Sequence, residues 1–336
     1  MKKETILLSL MSTMFCLFGC TGSGIIKPGK VWNDTDGNPI NAHGGGVLYH
    51  EGSYYWYGEY KKGETRLLPD QGWECYRTDV SGVSCYSSKD LVNWKFEGLV
   101  LKATPDDANS DLHPSNVLER PKVIYNKKTG KFVMWMHIDS ADYTKAYAGV
   151  AISDTPTGEF KYLGSFRPHN AMSRDQTVFA DEDGRAYHLF SSEDNATLYI
   201  SELTDDYLRH KEVCIKNFAG KFREAPAVFK RTGKYYLITS GCSAWDPNEA
   251  EYAVADSLMG KWTVLGNPCQ GKDADKAFYG QSTFVIPVAG KTDSYIAMFD
   301  KWEKLDLEKS LYIWLPISFD GNKMNIPWKD NWTIND

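Results

Sequence analysis

The sequence predicts an all-β fold, and within that class a five-bladed β-propeller. Three observations carry this. A unit made of a polar residue, a short apolar strand, a turn and a second strand rich in aromatic or aliphatic residues returns five times. A weaker strand-forming unit follows each return, and no long apolar stripe of period 3.6 interrupts them. Five sheets around an axis also suit the chain length, at roughly 60 residues per blade.

The copies open at His43, Glu119, Asp175, Glu224 and Gln281, and read HGGGVLYHEGSYYWYGE, ERPKVIYNKKTGKFVMWMH, DQTVFADEDGRAYHLFSS, EAPAVFKRTGKYYLITSG and QSTFVIPVAGKTDSYIAMF. Each carries turn residues where a hairpin needs them: Glu51-Gly52, Lys128-Thr129-Gly130, Asp183-Gly184, Thr232-Gly233 and Gly290-Lys291. The following units, CYSSKDLVNWKFEG, VAISDTPTGEFKYLG, YISELTDDYLRHKEV, YAVADSLMGKWTVLG and YIWLPISFDGNKMNIPW, read as the outer strands of the same sheets. A sandwich or barrel would use similar strands, but it leaves the five-fold recurrence unexplained. Two long polar insertions, Lys61 to Gly82 and Thr104 to Val117, are expected to rise over one face and shape a pocket.

Ahead of the repeats, Lys2 and Lys3 precede an apolar run, Ile6 to Phe18, too short to span a bilayer. Residues 1–19 therefore read as an export signal. Leu17-Phe18-Gly19-Cys20 resembles a bacterial lipobox, in which the cysteine is lipidated and heads the mature chain. Residues 20–30 are then a linker and 31–336 the propeller. An ordinary cleaved signal peptide is the alternative. Both export the protein, and the first anchors it to the bacterial cell envelope, in the periplasm or at the cell surface.

The formal charge of −6 becomes −7 once Lys2, Lys3 and Glu4 are removed, a balance that disfavours nucleic acid as a partner. Contact with membrane is expected only through the lipid. The cysteines after Cys20 are Cys75, Cys85, Cys214, Cys242 and Cys269, an odd set with irregular spacing. Cys75 and Cys85 are the pair most open to a disulfide. No CxxC or histidine-rich spacing suggests zinc, and no cofactor is expected.

In a propeller the innermost strands converge on the axis, so the residues that open the five copies become neighbours. Carboxylates converging on one pocket suit glycoside hydrolysis, where one group protonates the leaving oxygen and another activates water or stabilises charge at the sugar. Like charges held close also keep one acid protonated near neutrality. The competing reading pairs these acids with their neighbours Arg120, Arg174 and Arg223 as structural salt bridges. Trp32, Trp56, Trp73 and Trp245 are candidates to stack on sugar faces.

With these motifs the chain resembles glycoside hydrolase family 43, five-bladed inverting enzymes that cleave arabinosides, xylosides or galactosides. The resemblance implies that Asp175, in SRDQTVFADEDGRAYHLF, is the aspartate that modulates the acid's pKa. It implies that Glu224, in REAPAVF, is the general acid. The family's usual base is an aspartate opening blade one, but Asn41-Ala42-His43-Gly44-Gly45-Gly46 stands there. AHGGG with YYWYGE and YGQSTF is similar to the branch of exo-acting galactan 1,3-β-galactosidases. That branch implies that Glu59, Glu119, Asp175, Glu224 and Gln281 line a galactose subsite, with His43 and Trp245 as further substrate contacts. Gln281 would hold the attacking water, as an amide or as its imidic tautomer, with Glu119 as the alternative base and Glu59 accepting from sugar hydroxyls. Some members hold a cation near the axis through a blade-five histidine; with Gln281 there, no catalytic metal is expected.

The expected activity is release of galactose from β-1,3-galactan, such as arabinogalactan side structures, with inversion. An α-L-arabinofuranosidase or β-xylosidase on the same fold is the nearest alternative. A non-catalytic surface glycan-binding lipoprotein, motivated by the missing first-blade aspartate, is the alternative of another class. A phosphorylase would need a basic phosphate pocket.

Overall fold

The computed structural model describes residues 24–69 and 71–335; the expected export signal, 1–19, and Cys20 lie outside the described residues. Among the described residues helix is confined to three 3-10 turns, and no helix is long and apolar enough to cross a membrane.

Strands in sequence order form five antiparallel sheets. Blade one is His43–His50, Ser53–Lys61, Val80–Ser88 and Lys95–Lys102. Blade two is Val117–Asn126, Lys131–Asp139, Tyr147–Ser153 and Lys161–Phe166. Blade three is Gln176–Ala180, Ala186–Ser192, Thr197–Leu203 and His210–Asn217. Blade four is Arg223–Arg231, Lys234–Gly241, Glu251–Ala255 and Thr263–Gly266. Blade five is Gln281–Pro287, Tyr295–Lys301, Leu311–Asp320 and Lys323–Pro327, with Cys269–Gln270 added in parallel at its outer edge. Each innermost strand contacts the next around the axis, and the first contacts the fifth, so the ring closes.

The strands are apolar on both faces because each blade is sandwiched between two others. In Lys131–Asp139, residues Phe132, Met134, Met136 and Ile138 pack toward blade one, while Val133 and Trp135 pack toward blade three. The buried residues divide into five clusters, one for each interface between neighbouring blades. The cluster between blades one and five is dominated by Trp56, Trp94, Trp314 and Trp332.

Ile25–Ile26 pairs with Trp332–Thr333, and Ile26 is buried against the blade one and five core. The fold thus takes in residues ahead of the boundary expected at 31. The disulfide expected between Cys75 and Cys85 is not formed, and both thiols are buried and free. Cys85 packs in the core between blades one and two, against the Pro156 carbonyl, whereas Cys75 sits on a short hairpin inserted in blade one, Arg66–Leu68 with Cys75–Arg77.

Candidate active site

The first strands of blades one, two and four share one irregularity just after the residue that opens the repeat, and that of blade five has one a residue later. Glu119 faces His137 and Lys122 faces Trp135, so Arg120 and Pro121 together oppose one residue. The same bulge separates Glu224 from Ala227, His43 from Gly46, and Ser282 from Phe284. Arg120, Ala225 and Gly44 take left-handed φ of 54°, 52° and 57°. Proline at 121 and 226 fits because a bulge needs no ladder N–H there. In blades two and four the bulge follows a glutamate that lines the axial cavity, which is the physical content of the Glu-x-Pro pattern. At Gly44 any side chain would collide with the Glu59 carboxylate, which accounts for the glycine run.

A cavity of ≈ 360 Å³ opens at this end of the axis, and Glu59, Glu119, Asp175, Glu224, Gln281 and Trp245 all line it. Arg120 crosses the floor. Its Nε donates to Asp175 Oδ1 at 3.1 Å, and its terminal nitrogens reach Asp175 Oδ2 (3.0 Å), Gln281 Oε1 (2.5 Å) and the Ser282 carbonyl (3.3 Å). Asp175 Oδ2 also accepts from the Ala225 amide at 3.0 Å, beside Glu224. Glu224 Oε1 accepts from Asn195 Nδ2 at 2.6 Å.

Glu119 accepts from Tyr143 Oη at 2.8 Å and meets His137 Nδ1 at 3.2 Å, while His137 Nε2 lies 2.9 Å from Asp139 Oδ2. Asp139 also accepts from the Ser140 and Ala146 amides, so it fixes both the imidazole and the loop that carries Tyr143. Gln281 Oε1 accepts from Trp302 Nε1 (3.0 Å) as well as Arg120, and its Nε2 donates to Ser240 Oγ at 3.1 Å. Guanidinium and indole are donors only, so the oxygen must face them. Both contacts leave the Gln281 oxygen as the acceptor and its nitrogen turned toward Ser240.

The carboxyls are driven apart electrostatically. Burial, reinforced by the negative charge of Asp175, pushes Glu224 up to about 8. Burial would also raise Glu119, but the hydrogen bond and charge of His137, the Lys61 charge and the Tyr143 hydroxyl outweigh it and hold Glu119 at about 2. Burial opposes the charge on His137, yet Asp139 and Glu119 raise it to about 9, so it is an imidazolium at neutrality.

The acids do not pair with their sequence neighbours. Arg120 bridges to Asp175, Arg174 to Asp194, and Arg223 lies by Glu251. The cavity's four cations among the described residues, Lys61, Arg120, Arg174 and the His137 imidazolium, each face a carboxylate, leaving no uncompensated basic pocket for phosphate. Glu59 is only 3 % exposed, and its oxygens are taken by the Arg120 amide (2.9 Å) and Lys61 Nζ (2.7 Å).

Several expectations need correction. His43 is fully buried below the cavity, stacked on Tyr312 and 3.7 Å from Asp300, so it cannot be the substrate contact expected. Trp56 is likewise fully buried, and Trp32 packs edge-on against Trp56 and Trp314 in the core; of the four tryptophans expected to meet sugar, Trp73 and Trp245 reach the cavity. The insertion from Lys61 to Gly82 supplies Trp73, as expected of a pocket wall. That from Thr104 to Val117 supplies no cavity residue and is tied to blade two through Asp111, which accepts from Tyr162 and Ser165. Its place is taken by Asn195 and Cys242, which, with Tyr143, His137 and Trp302, the sequence reading missed. His137 stands opposite Glu119 in the ladder, a relation that hairpin register could have shown.

Donor atoms of Glu119, His137 and Asp175 lie within 4.8 Å of one another. As a metal site the set fits poorly, since the His137 imidazolium offers no lone pair and Arg120 occupies Asp175.

Residues 38–297 match the family model described as Glycosyl hydrolases family 43. Among curated protein sequences none matches. Among solved structures, the chain is 42 % identical to a family 43 β-1,3-galactosidase solved with galactodeoxynojirimycin, over 92 % of this chain and 100 % of that one, with a TM-score of 0.84. It is 40 % identical to an exo-β-1,3-galactanase from Clostridium thermocellum, covering 92 % of this chain and 66 % of that one, with a TM-score of 0.81. It is 36 % identical to an exo-β-1,3-galactanase from Phanerochaete chrysosporium solved with β-1,3-galactotriose, covering 93 % and 68 %, with a TM-score of 0.82. With its family model spanning blades one to five and a ring of acids at the axis, this chain belongs to glycosyl hydrolases family 43.

Proposed function

We propose that this glycoside hydrolase releases galactose from the end of β-1,3-galactan with inversion, using Glu224 as the general acid. The observation that carries the acid assignment is the contrast between two carboxyls in one cavity: Glu224 is held protonated near neutrality and Glu119 ionised at rest. The substrate is supported by the galactanase and galactosidase relatives.

In this reading Glu224 passes its proton to the glycosidic oxygen as that bond breaks. Glu119 is too weak a base to draw a proton from water, but its fixed charge stabilises the positive sugar in the transition state. Gln281, held by Arg120, Trp302 and Ser240, places the water. The oxonium formed when water joins the anomeric carbon is strongly acidic and gives its proton to Glu119. Asp175, pinned by Arg120 and the Ala225 amide, keeps Glu224 protonated by its charge. Trp245 supplies a ring wall, and its Nε1 has no hydrogen-bond partner among the described residues.

The test is product release from β-1,3-galactan and from an α-L-arabinofuranoside, for wild type, Glu224→Gln and Gln281→Ala. Galactose from the first substrate only, reduced at least about 100-fold by Glu224→Gln, is expected. Arabinose release would move the substrate, and binding without hydrolysis would make this a glycan-binding protein. Export with lipidation at Cys20 is proposed from the sequence alone. A Cys20→Ser chain is expected in the soluble rather than the membrane fraction, and an unchanged fractionation contradicts the anchor.

A further inference from the structure

Two turns from neighbouring blades meet at Glu224. The first links the second and third strands of blade three, and in it Glu193, Asp194 and Asn195 all adopt left-handed φ, of 52°, 54° and 66°. Three such residues in a row are costly, and Asn and Asp tolerate the region better than Glu. The Glu193 carboxylate offsets the cost by accepting from Thr197 Oγ1 (2.5 Å), Tyr199 Oη (2.7 Å) and Lys216 Nζ (2.6 Å). Held this way, the turn aims Asn195 Nδ2 at Glu224 Oε1, 2.6 Å away.

The second turn leaves the second strand of blade four. Asn248 clamps it by accepting from the Gly241 amide (2.7 Å) and donating to the Gly241 carbonyl (3.0 Å) and Ser243 Oγ (2.6 Å). The residue between these anchors is Cys242, a free, exposed thiol on the cavity wall. Its Sγ lies 3.7 Å from the same Asn195 Nδ2. One amide nitrogen therefore spends its two hydrogens on the Glu224 carboxyl and the Cys242 sulfur, which sets the thiol beside the carboxyl.

We propose that Cys242 is a positioning residue for Glu224, its S–H donating to the carboxyl that Asn195 holds in place. This rests on the reading of Glu224 as general acid. Partial desolvation of its sulfur at the cavity wall and the neighbouring Glu224 charge push the Cys242 thiol up to about 11, so it keeps its proton and acts as a donor rather than a nucleophile. A thiol is a weak donor, and it stabilises the carboxylate less than a hydroxyl would. The acid thereby stays protonated at neutral pH while its carboxyl remains oriented.

The test pairs two pH titrations on wild type, Cys242→Ala and Cys242→Ser: the ¹³C signal of the Glu224 carboxyl, assigned with Glu224→Gln, and kcat/KM on β-1,3-galactotriose. Cys242→Ser, with a stronger O–H donor, is expected to lower the carboxyl midpoint and the basic limb together by roughly half a pH unit, and Cys242→Ala to raise both by a similar amount. Unmoved carboxyl midpoints in both variants overturn the proposal, whatever happens to the rate. A carboxyl midpoint that moves while the basic limb stays fixed upholds the contact and overturns Glu224 as the proton donor. Thermal melting of each variant verifies the fold.

Discussion

At the scale of single residues, one buried carboxyl carries the chemistry and also a cost. Glu224 must be protonated to act, and burial with the Asp175 charge holds its folded value near 8. The basic limb of kcat/KM is therefore expected at about pH 8, and a limb near pH 5 would contradict the assignment. The same shift destabilises the fold. The folded value lies above the unfolded one, so the unfolded chain loses the proton first and stability falls as pH rises from about 4.5 to 8. Glu224→Gln removes this term. It is expected to stabilise the protein by about 1–3 kcal/mol at pH 8 to 9 and by nothing near pH 4.5, measured as denaturant midpoints at both pH values.

At the scale of elements, the bulges and hairpins decide which side chains meet. Blade three also carries a buried histidine cluster. His188 Nδ1 and His210 Nε2 lie 3.0 Å apart, His169 lies beside them with its Nε2 on Ser201 Oγ, and Trp135, Phe166 and Phe190 surround them. The charged neighbour is Arg209, whose guanidinium stacks on Phe166, and among the described residues no carboxylate pairs with the three rings. Burial depresses all three, His210 to about 3. Their folded values lie below the unfolded one, so stability is whole above about pH 6.5 and is lost as pH falls below it. The unfolding free energy is expected to drop between pH 7 and 5 by up to about 1.4 kcal/mol per unit for each of His188 and His210, the exposed His169 adding little. His210→Gln is expected to flatten that slope, and an unchanged slope would place the acid sensitivity elsewhere.

The opening residues of the repeats were legible because a propeller maps the start of each copy onto its axis. That logic placed Glu119, Asp175, Glu224 and Gln281 in one cavity and failed only for His43, whose bulge turns it under the floor onto Tyr312. Asn195 and Cys242 were not legible, because they sit on turns between later strands, where nothing in the repeat fixes direction. The Arg residues beside the acids misled for a related reason. At a bulge or strand end, adjacent residues take different directions, so Arg120 reaches across to blade three instead of pairing with Glu119.

At the scale of the whole molecule, stability is shared among five blade interfaces, and the ring is joined at the one between blades one and five. There Ile25–Ile26 pairs with Trp332–Thr333. Ile26, 1 % exposed, packs in the same cluster as Trp314 and Trp332. Ile26→Ala is expected to cost about 2–4 kcal/mol in denaturant unfolding while leaving kcat/KM intact, since the cavity lies at the axis and not at this edge. A loss under about 0.5 kcal/mol would mean the closure adds little. The rigid ring matters to function because it sets the floor on which Arg120 joins blades two, three and five through Asp175 and Gln281.

The most direct test is proton NMR of β-1,3-galactotriose hydrolysis at neutral pH, following the anomeric signals from the first turnovers. The proposed function predicts galactose released first as the α-anomer together with β-1,3-galactobiose, and no release in the Glu224→Gln protein. Galactose appearing first as the β-anomer, or a Glu224→Gln protein as active as wild type, would contradict it.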